Sequence, residues 1–364
     1  MKWASRIGTF AGISVYVHAT FLLLIIWIGV SYWRAEQSIP AVVSGIVFIL
    51  ALFGCVVLHE FGHALTARRY GIRTRDITLF PIGGVARLER MPDDPRQELL
   101  VAVAGPAVNV VIAALLFVVL AMSGTFAGFD QLSVARGSFL ERLMLVNIWL
   151  VVFNLIPAFP MDGGRMLRAA LAMRMDYARA TRSAANLGQG IALLFGLVGL
   201  MGNPFLVFIA LFVWIGAAQE SAATQMKFAL SGTPLTRAMM TVFRTLSVHD
   251  TLGAAGSALL AGSQQDFPVL DDGRVVGVLT RTDLLAALAR EGDGTPVTSV
   301  MQRAFIAADP SEMLDTVFER LQACTCRTVP VVRGGQLVGL VTMENVGEFV
   351  SVQAALGATR RAQG

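Results

Sequence analysis

Between about positions 19 and 220, long blocks of apolar residues alternate with short polar segments, and ordinary soluble composition follows. Six such blocks are present, at about 17–33, 42–66, 98–122, 139–160, 186–201 and 204–222. A helix needs roughly 20 apolar residues to cross the hydrocarbon core of a bilayer, so several blocks are long enough and the last two are short. The pattern predicts a polytopic α-helical membrane domain of about six transmembrane segments over residues 1–225.

Residues 72–90 depart from this helical pattern. Strand-like segments at 77–80 and 85–88 flank Pro81-Ile82-Gly83-Gly84, which is typical of a β-hairpin. Non-helical backbone at membrane depth must be buried in protein or must line a wet cavity. The segment is interpreted as a membrane-associated β-hairpin, with a plain cytoplasmic loop as the alternative.

The last third of the chain is an internal repeat with a constant offset between its two copies. Pro234, Met239, Pro268, Gly277, Thr280 and Asp283 recur as Pro296, Met301, Pro330, Gly339, Thr342 and Asn345. Each copy is typical of helix, strand, turn, strand and helix, with Asp272-Gly273 and Gly334-Gly335 as the hairpin turns. The repeat predicts a pair of small α/β domains at residues 231–290 and 293–352.

Charge changes this picture in two ways. Only 15% of the residues are charged, whereas soluble chains carry about 25%, so lipid rather than a buried core accounts for the apolar blocks. Arginine and lysine gather before the first block, after the second and after the fourth, which places these segments and both termini in the cytoplasm. No basic run is interleaved with aromatic residues, so nucleic acid is not an expected partner.

The strongest chemical motif is His59-Glu60-Phe61-Gly62-His63, an HExxH within the second apolar block. On a helix, residues four apart share one face about 5–6 Å apart, so both imidazoles can reach one metal ion. Zinc held by three protein ligands keeps a fourth position for water, and Glu60 lies beside the pair as a general base. Ionisable groups inside a membrane span are costly, which argues against a chance pattern.

A third ligand is needed, and Asp162 is the candidate. It lies in Pro160-Met161-Asp162-Gly163-Gly164-Arg165, where the fourth block ends and prolines and glycines break the helix. Asp162 is the only carboxylate between Glu141 and Asp176. A helix-ending Asp-Gly turn is the commoner use of such a motif, but an HExxH in the membrane favours a ligand.

Taken together, three motifs resemble the site-2 proteases, which are intramembrane zinc metalloproteases. They are the HEFGH in the second block, Ala104-Gly105-Pro106-Ala107-Val108-Asn109 in the third, and Asn154…Pro157…Pro160-Met161-Asp162-Gly163-Gly164-Arg165 in the fourth. The resemblance covers about residues 1–225. It implies one zinc ion held by His59, His63 and Asp162, with Glu60 as the catalytic base. It also implies that Asn154 lies near the active site, where it either polarises the scissile carbonyl or caps a helix. Close helix packing is a sufficient explanation for Gly105 and Asn109.

The repeat resembles paired cystathionine-β-synthase-type (CBS) domains, which in other proteins commonly bind adenine nucleotides. Gly277…Thr280…Asp283 matches the pattern in which the aspartate meets ribose hydroxyls and the threonine meets phosphate. The second copy keeps Thr342 but has Asn345 in place of the aspartate. The resemblance implies a site for ATP or AMP at Thr280, Asp283 and Thr342, with a purely structural module as the alternative.

The function expected from these features is an intramembrane zinc endopeptidase that acts on membrane-spanning or membrane-associated proteins in regulated intramembrane proteolysis. The resemblance implies a prokaryotic plasma-membrane protein, substrates such as pro-sigma or anti-sigma factors, control by an adenine nucleotide, and a second copy as a candidate partner through the CBS domains. A CBS-gated transporter would explain the spans and the repeat, but not the HExxH with a distant Asp-Gly. A non-catalytic scaffold conflicts with the intact HExxH.

Overall fold

The computed structural model describes residues 3–92, 94–124, 137–323 and 327–362. The chain divides into two compact units, Met1–Thr224 and Gln225–Gly364. The change from apolar blocks to soluble composition near residue 222 falls close to this division. Most of the short connection between Ser123 and Ser138 lies outside the described residues.

Seven helices account for most of the described part of the first unit, and the last of them continues into the second unit. They are α1 (Thr20–Glu36), α2 (Ile39–Arg69), α3 (Pro95–Met122), α4 (Phe139–Asn154), α5 (Asp162–Ala172), α6 (Tyr177–Leu200) and α7 (Pro204–Leu230). Side-chain oxygens of Asp94, Ser138 and Asp176 accept the first free backbone N–H groups of α3, α4 and α6. Each of the six apolar blocks is helical over most of its length, although the helix of the fourth block ends at Asn154 and not at residue 160.

Four of these helices are long and apolar enough to cross a membrane within the described residues: α2, α3, α6 and α7. The other two apolar blocks form α1 and α4, which have 17 and 16 residues. Both fall short of the roughly 20 residues that a full crossing needs. The expected count of about six spans is thus two higher than the number of helices that meet this length.

The outward faces of the spans are apolar. Leu115 on α3, Leu193 on α6 and Phe208 on α7 are about 60% exposed. Such surfaces are unfavourable in water but are buried when lipid surrounds the helix bundle. The first unit is a membrane domain.

A four-stranded sheet packs against α2. Its strands are β1 (Ala4–Phe10), β2 (Ile13–His18), β3 (Thr74–Phe80) and β4 (Gly83–Leu88), in the order β1-β2-β3-β4. The β3–β4 hairpin is confirmed, although its turn is Pro81-Ile82 and not the four residues expected, and the alternative of a plain loop is wrong. The strands β1 and β2 were not expected, and β2 pairs in parallel with β3. One face of the sheet packs on α2 through Ile13, Val15 and Ile77.

The described part of the second unit contains four further α-helices and five strands. They are α8 (Leu252–Leu260), α9 (Arg281–Glu291), α10 (Leu314–Ala323) and α11 (Met343–Ala362), with β5 (Leu246–Ser247), β6 (Phe267–Asp271), β7 (Arg274–Leu279), β8 (Thr328–Arg333) and β9 (Gln336–Thr342). Asp272-Gly273 joins β6 to β7 and Gly334-Gly335 joins β8 to β9, so both expected hairpins are confirmed.

The segment that precedes the first strand of each repeat pairs with the other repeat. Met240 and Leu340 form reciprocal backbone hydrogen bonds, and so do Gln302 and Val278, which occupy the corresponding positions of the repeat. Leu235 accordingly packs in the hydrophobic core of the second repeat. The repeats are therefore related by an approximate two-fold axis and form one folded unit.

Candidate metal centre

Three buried side chains from two helices converge on one point of the membrane domain. His59 and His63 lie one turn apart on α2, and Asp162 is the first residue of α5. The Nε2 atoms of the two histidines are 3.1 Å apart, and each lies 3.1 Å from Oδ2 of Asp162. Among the described residues these three form the one group of histidine, cysteine and acidic side chains arranged to hold a metal ion.

Each imidazole is held on the side away from this point. Nδ1 of His63 lies 2.7 Å from the backbone oxygen of Val101 on α3, and since a carbonyl only accepts, the histidine donates. Nδ1 of His59 lies 2.5 Å from Oδ1 of Asn109, also on α3. Asn109 in turn donates through Nδ2 to Oδ1 of Asn147 on α4, over 2.7 Å.

Gly105 on α3 faces the two imidazole rings. A Cβ atom at this position would lie 2.7 Å from Nε2 of His59 and closer still to Nε2 of His63. Real Cβ atoms do not approach other atoms so closely, so any larger residue would displace the rings. Packing between helices is therefore only part of the reason for a glycine here, because it also leaves space at the point where the three side chains converge.

Asp162 owes its position to the way α5 is anchored. Further along this helix, the guanidinium of Arg168 lies 5.1 Å from the ring centre of Phe159, in the loop before α5. Nε of Arg168 donates to Glu98 of α3 over 2.8 Å, and the same guanidinium pairs with Glu220 of α7. Arg168 and Glu98 are almost fully buried. These contacts attach α5 to two transmembrane helices.

Glu60 lies beside the convergence point without joining it. Its Oε2 accepts a hydrogen bond from the backbone N–H of Ala86 on β4, over 3.1 Å. The strand reaches this close because Gly84 has no side chain: a Cβ there would lie 2.9 Å from Cγ of Glu60. The carboxylate is thus oriented by the sheet and remains free of the three converging atoms.

A cross-strand ion pair supports the part of β4 next to Glu60. Nε of Arg87 donates to Oδ1 of Asp76 on β3 over 2.8 Å, and this hydrogen bond raises the pKa of the Arg87 guanidinium. Asp76 is buried, and it also accepts a hydrogen bond from Thr78. The pair lies directly after Ala86 and helps to fix the register of β3 and β4.

Asn154 is placed differently from the other expected site residues. Its Nδ2 donates to the backbone oxygen of Leu150 within α4, over 2.9 Å. Within the described part of the chain, no hydrogen bond joins it to His59, His63 or Asp162. It is partly buried at the end of α4, just before the loop that leads to Asp162.

Sequence reasoning did not identify Asn147, Glu98 and Arg168, and it interpreted Asn109 as a packing residue. Asn147 and Glu98 lie inside apolar blocks, where a polar group is expensive unless it has a partner or a function. That cost could have marked Asn147 and Glu98 as residues with a buried partner or a function. The partners could not be found in the same way, because they lie on other helices.

The residues expected to bind nucleotide lie in one cavity of the second unit. Thr280, Asp283 and Thr342 are among the residues that line this cavity of about 990 Å³. Oδ2 of Asp283 accepts hydrogen bonds from Thr280 and Gln302, each over 2.7 Å. Asn345, the counterpart of Asp283, lines the same cavity. The cavity therefore contains both copies of the threonine motif.

Comparison with known proteins assigns both parts of the chain. The model of peptidase family M50 matches residues 47–136 and 130–198, and the CBS domain matches residues 235–290 and 297–351. Zinc metalloprotease MJ0392 of Methanocaldococcus jannaschii is 32% identical over 358 residues, which is 97% of each chain. Putative zinc metalloprotease Rip3 of Mycobacterium tuberculosis is 30% identical over 97% of this chain and 94% of its own. The solved site-2 protease from M. jannaschii is 39% identical, with a TM-score of 0.45 over 60% of this chain and 95% of its own.

Proposed function

The chain belongs to peptidase family M50, the site-2 proteases, and is a zinc metalloprotease with two CBS domains; from this premise we propose that it cuts membrane-spanning or membrane-associated proteins at a centre formed by His59, His63 and Asp162. The observation that carries the assignment of these residues is the convergence of three buried donor atoms at mutual distances of 3.1 Å. Family membership also removes the transporter and the non-catalytic scaffold as leading alternatives.

The donor set suits zinc. Zinc binds histidine nitrogen and carboxylate oxygen at about 2.0–2.2 Å, and three atoms spaced 3.1 Å apart leave a point about 2 Å from each. Nε2 of His63 presents a lone pair to this point, because its Nδ1 already donates to Val101. Unshared electron pairs that face one another in a buried site repel, and a cation at the centre turns this repulsion into attraction. Gly105 leaves the space.

The chemistry divides between the metal and Glu60. When bound, zinc supplies a Lewis acid that activates water and polarises the scissile carbonyl. Glu60 takes the proton from the attacking water and delivers it to the departing amine nitrogen. Its hydrogen bond from Ala86 keeps the carboxylate turned towards β4 and out of the ligand set. Asn154 is proposed to polarise the carbonyl when the substrate enters, although in this structure its amide is bound to Leu150.

Substrate is proposed to bind as an extended strand along β4. This strand forms one edge of the sheet and carries the backbone N–H that holds Glu60. A peptide bond within a membrane helix is shielded and must unwind before water can attack it. Unwinding in lipid leaves backbone groups unpaired at a cost of several kcal/mol each. Pairing with the edge of β4 would offset part of that cost.

The second unit is proposed to bind an adenine nucleotide, ATP or AMP, and to change proteolysis through that binding. Thr280, Asp283 and Thr342 share one cavity, which supports a site between the repeats. We propose the domain limits 1–225, 231–290 and 293–352, with the CBS pair and both termini in the cytoplasm of a prokaryotic cell. Membrane-bound regulators of sigma factors are the proposed substrates, and pairing with a second copy through the CBS domains is proposed as well.

Two substitutions test the assignment of the metal centre. Glu60→Gln keeps zinc bound at the wild-type ratio of one per chain but lowers the cleavage rate by about 10² to 10⁴, because only the proton carrier is lost. Asp162→Ala lowers the zinc content itself, since one of three ligands is removed. Membrane proteomes of cells that produce wild-type or Glu60→Gln protein reveal substrates that accumulate uncut. Metal analysis and cleavage of such a substrate by the purified full chain then check both variants.

Full zinc content in Asp162→Ala would require another third ligand. Loss of zinc in Glu60→Gln would contradict the role of Glu60 as a base that does not bind the metal. Arg179→Met serves as the control, since Arg179 lies at the exposed start of α6 and pairs only with its neighbour Asp176 among the described residues. It is expected to change neither quantity.

A further inference from the structure

A row of buried amides connects the metal centre to α4. Asn109 and Asn147 are both completely buried. Nδ1 of His59 contacts Oδ1 of Asn109, Nδ2 of Asn109 contacts Oδ1 of Asn147, and Nδ2 of Asn147 contacts the backbone oxygen of Leu143, at 2.5, 2.7 and 2.8 Å. Asn147 therefore touches none of the three converging side chains, yet it is connected to one of them through a single residue.

The last member of this row determines the direction of every hydrogen bond in it. The backbone oxygen of Leu143 can only accept, so the amide group of Asn147 must turn its NH₂ towards it and its oxygen towards Asn109. Asn109 must then offer its NH₂ to Asn147 and its oxygen to His59. Since that oxygen can only accept, Nδ1 of His59 carries the proton.

The proton on Nδ1 of His59 determines the state of Nε2, the other nitrogen of the same ring. A neutral imidazole with its proton on Nδ1 presents a lone pair at Nε2, which is the atom that faces His63 and Asp162. If the amide of Asn109 were rotated by half a turn, its NH₂ would face Nδ1 and favour the opposite tautomer. The proton would then occupy Nε2, where a metal must bind. Asn147 prevents that rotation, because its oxygen needs the Asn109 NH₂.

We propose that Asn147 is a positioning residue for the metal centre, which fixes the tautomer and ring orientation of His59 through Asn109. This inference rests on the proposed zinc ligands. The two histidines are thus held by different contacts. His63 donates directly to a backbone oxygen of α3, whereas His59 is held by two side-chain amides in series, the second of which donates to a backbone oxygen of α4. Only the contacts of His59 make metal binding depend on a side chain of α4.

Zinc affinity tests the proposal directly. The full chain in detergent is titrated with zinc against a competing chelator, for the wild type and for Asn147→Leu. Partners that orient a ligating histidine typically change metal affinity about 10- to 100-fold, and a loss in that range is expected for Asn147→Leu. Asn147→Asp keeps an oxygen for Asn109 and, when protonated, an OH for Leu143, so it is expected to restore most of the affinity.

The matched control is Thr181→Val on α6. Thr181 is buried and donates from Oγ1 to the backbone oxygen of Tyr177 one turn earlier, as Asn147 does to Leu143, but it has no part in the row of amides. It should lower thermal stability without lowering zinc affinity. If the role of Asn147 is merely structural, Asn147→Leu will also lower thermal stability without lowering zinc affinity, and that result would overturn the proposal.

A double-mutant cycle identifies the route of the effect. If Asn147 acts through Asn109, then Asn147→Leu has no further effect on zinc affinity once Asn109 is leucine. Independent, additive losses would contradict the proposed chain of contacts. Should Asn147→Leu not fold, Asn147→Ala provides the same comparison. A wild-type chain that binds no zinc would contradict the proposed metal centre itself, whereas zinc binding that is unchanged by Asn147→Leu would contradict this inference alone.

Discussion

Single residues determine how closely α3 approaches the metal centre. The ligands alone do not define the metal centre, because the side chains of His59 and His63 also need space between α2 and α3. Gly105 provides that space, since a Cβ there would overlap both Nε2 atoms. The adjacent turns of α3 supply the oxygen of Val101 and the amide of Asn109 that hold the rings from behind. One helix therefore provides both the contacts and the gap.

Gly105→Ala is expected to reduce zinc content strongly while leaving the protein folded. In a helix, alanine is more favourable than glycine by roughly 0.5–1 kcal/mol, so intrinsic helix stability should not fall. The added methyl group instead occupies the space between the two imidazoles. Metal analysis of the purified chain, together with its thermal unfolding, separates the two effects.

Gly54→Ala is the control for this substitution. Gly54 also lies in a transmembrane helix, α2, but a Cβ there would have no neighbour within 4 Å. It should retain full zinc content. If Gly105→Ala also retained full zinc, the space at Gly105 would have no bearing on the metal.

The elements divide into those that the sequence predicts and those that it does not. Apolar blocks predicted the six longest helices of the first unit, because contact with lipid demands long runs of apolar residues. The helix α5 was missed, since the fourth block was extended to residue 160 and α5 itself is short and mixes polar with apolar residues. The strands β1 and β2 were missed although Ile13, Val15 and Val17 alternate with polar residues. The antiparallel pairing of β1 with β2 is local, whereas the second partner of β2 is β3, which follows only after both α1 and α2, and no local pattern specifies that second pairing.

The metal centre shows the same division. His59 and His63 follow from spacing on one helix, and Asp162 followed from a motif and a family resemblance. The contacts of Asn109, Asn147 and Arg168 depend on which helices are neighbours, and no local pattern or motif reveals that packing.

The anchoring of α5 leads to a prediction about stability. Arg168→Met removes the cation from Glu98 and leaves a fully buried carboxylate without its charge partner. Breaking a buried pair in this way typically costs about 3–5 kcal/mol, about ten times the effect of an exposed pair. Thermal unfolding of the purified chain should show a large loss for Arg168→Met and little for Arg179→Met, whose ion pair with Asp176 is exposed.

Removal of both buried charges should recover part of this loss. In Arg168→Met combined with Glu98→Gln, both fully buried charges are gone, and the carboxylate of Glu220, which also loses Arg168, is partly exposed. The double variant should therefore be more stable than Arg168→Met alone. Equal or lower stability of the double variant would show that the ion pair does not determine the cost.

At the scale of the whole molecule, the second unit depends on contacts between its repeats. Asp266 of the first repeat accepts a hydrogen bond from Thr328, its counterpart in the second repeat, over 2.8 Å. The cavity with both threonine motifs is lined by residues of both repeats, Asp266 and Thr328 included. A ligand that contacts the two repeats at once would bind the folded unit and not the unfolded chain. Such a ligand stabilises the folded state by mass action.

An adenine nucleotide is therefore expected to raise the thermal stability of the full chain and to alter its proteolytic activity. At a free concentration of about 100 times Kd, the stabilisation amounts to about 2.7 kcal/mol.

Asp283→Ala removes a charged acceptor from the cavity and should weaken binding roughly 10- to 100-fold, since hydrogen bonds to charged groups contribute about 1.5–3 kcal/mol. Zinc content should stay at the wild-type level, because Asp283 lies in the other unit. Asp271→Ala is the control: Asp271 is the exposed last residue of β6 in the same repeat and does not line the cavity. Titration with ATP, ADP and AMP measures nucleotide binding, and cleavage assays with and without the nucleotide that binds measure its effect on proteolysis.

A nucleotide can change activity only if it binds two states of the protein with different affinity. Binding without any change in cleavage would therefore leave a ligand site that does not regulate the protease. Absence of binding at millimolar concentration would instead favour a structural role for the CBS pair.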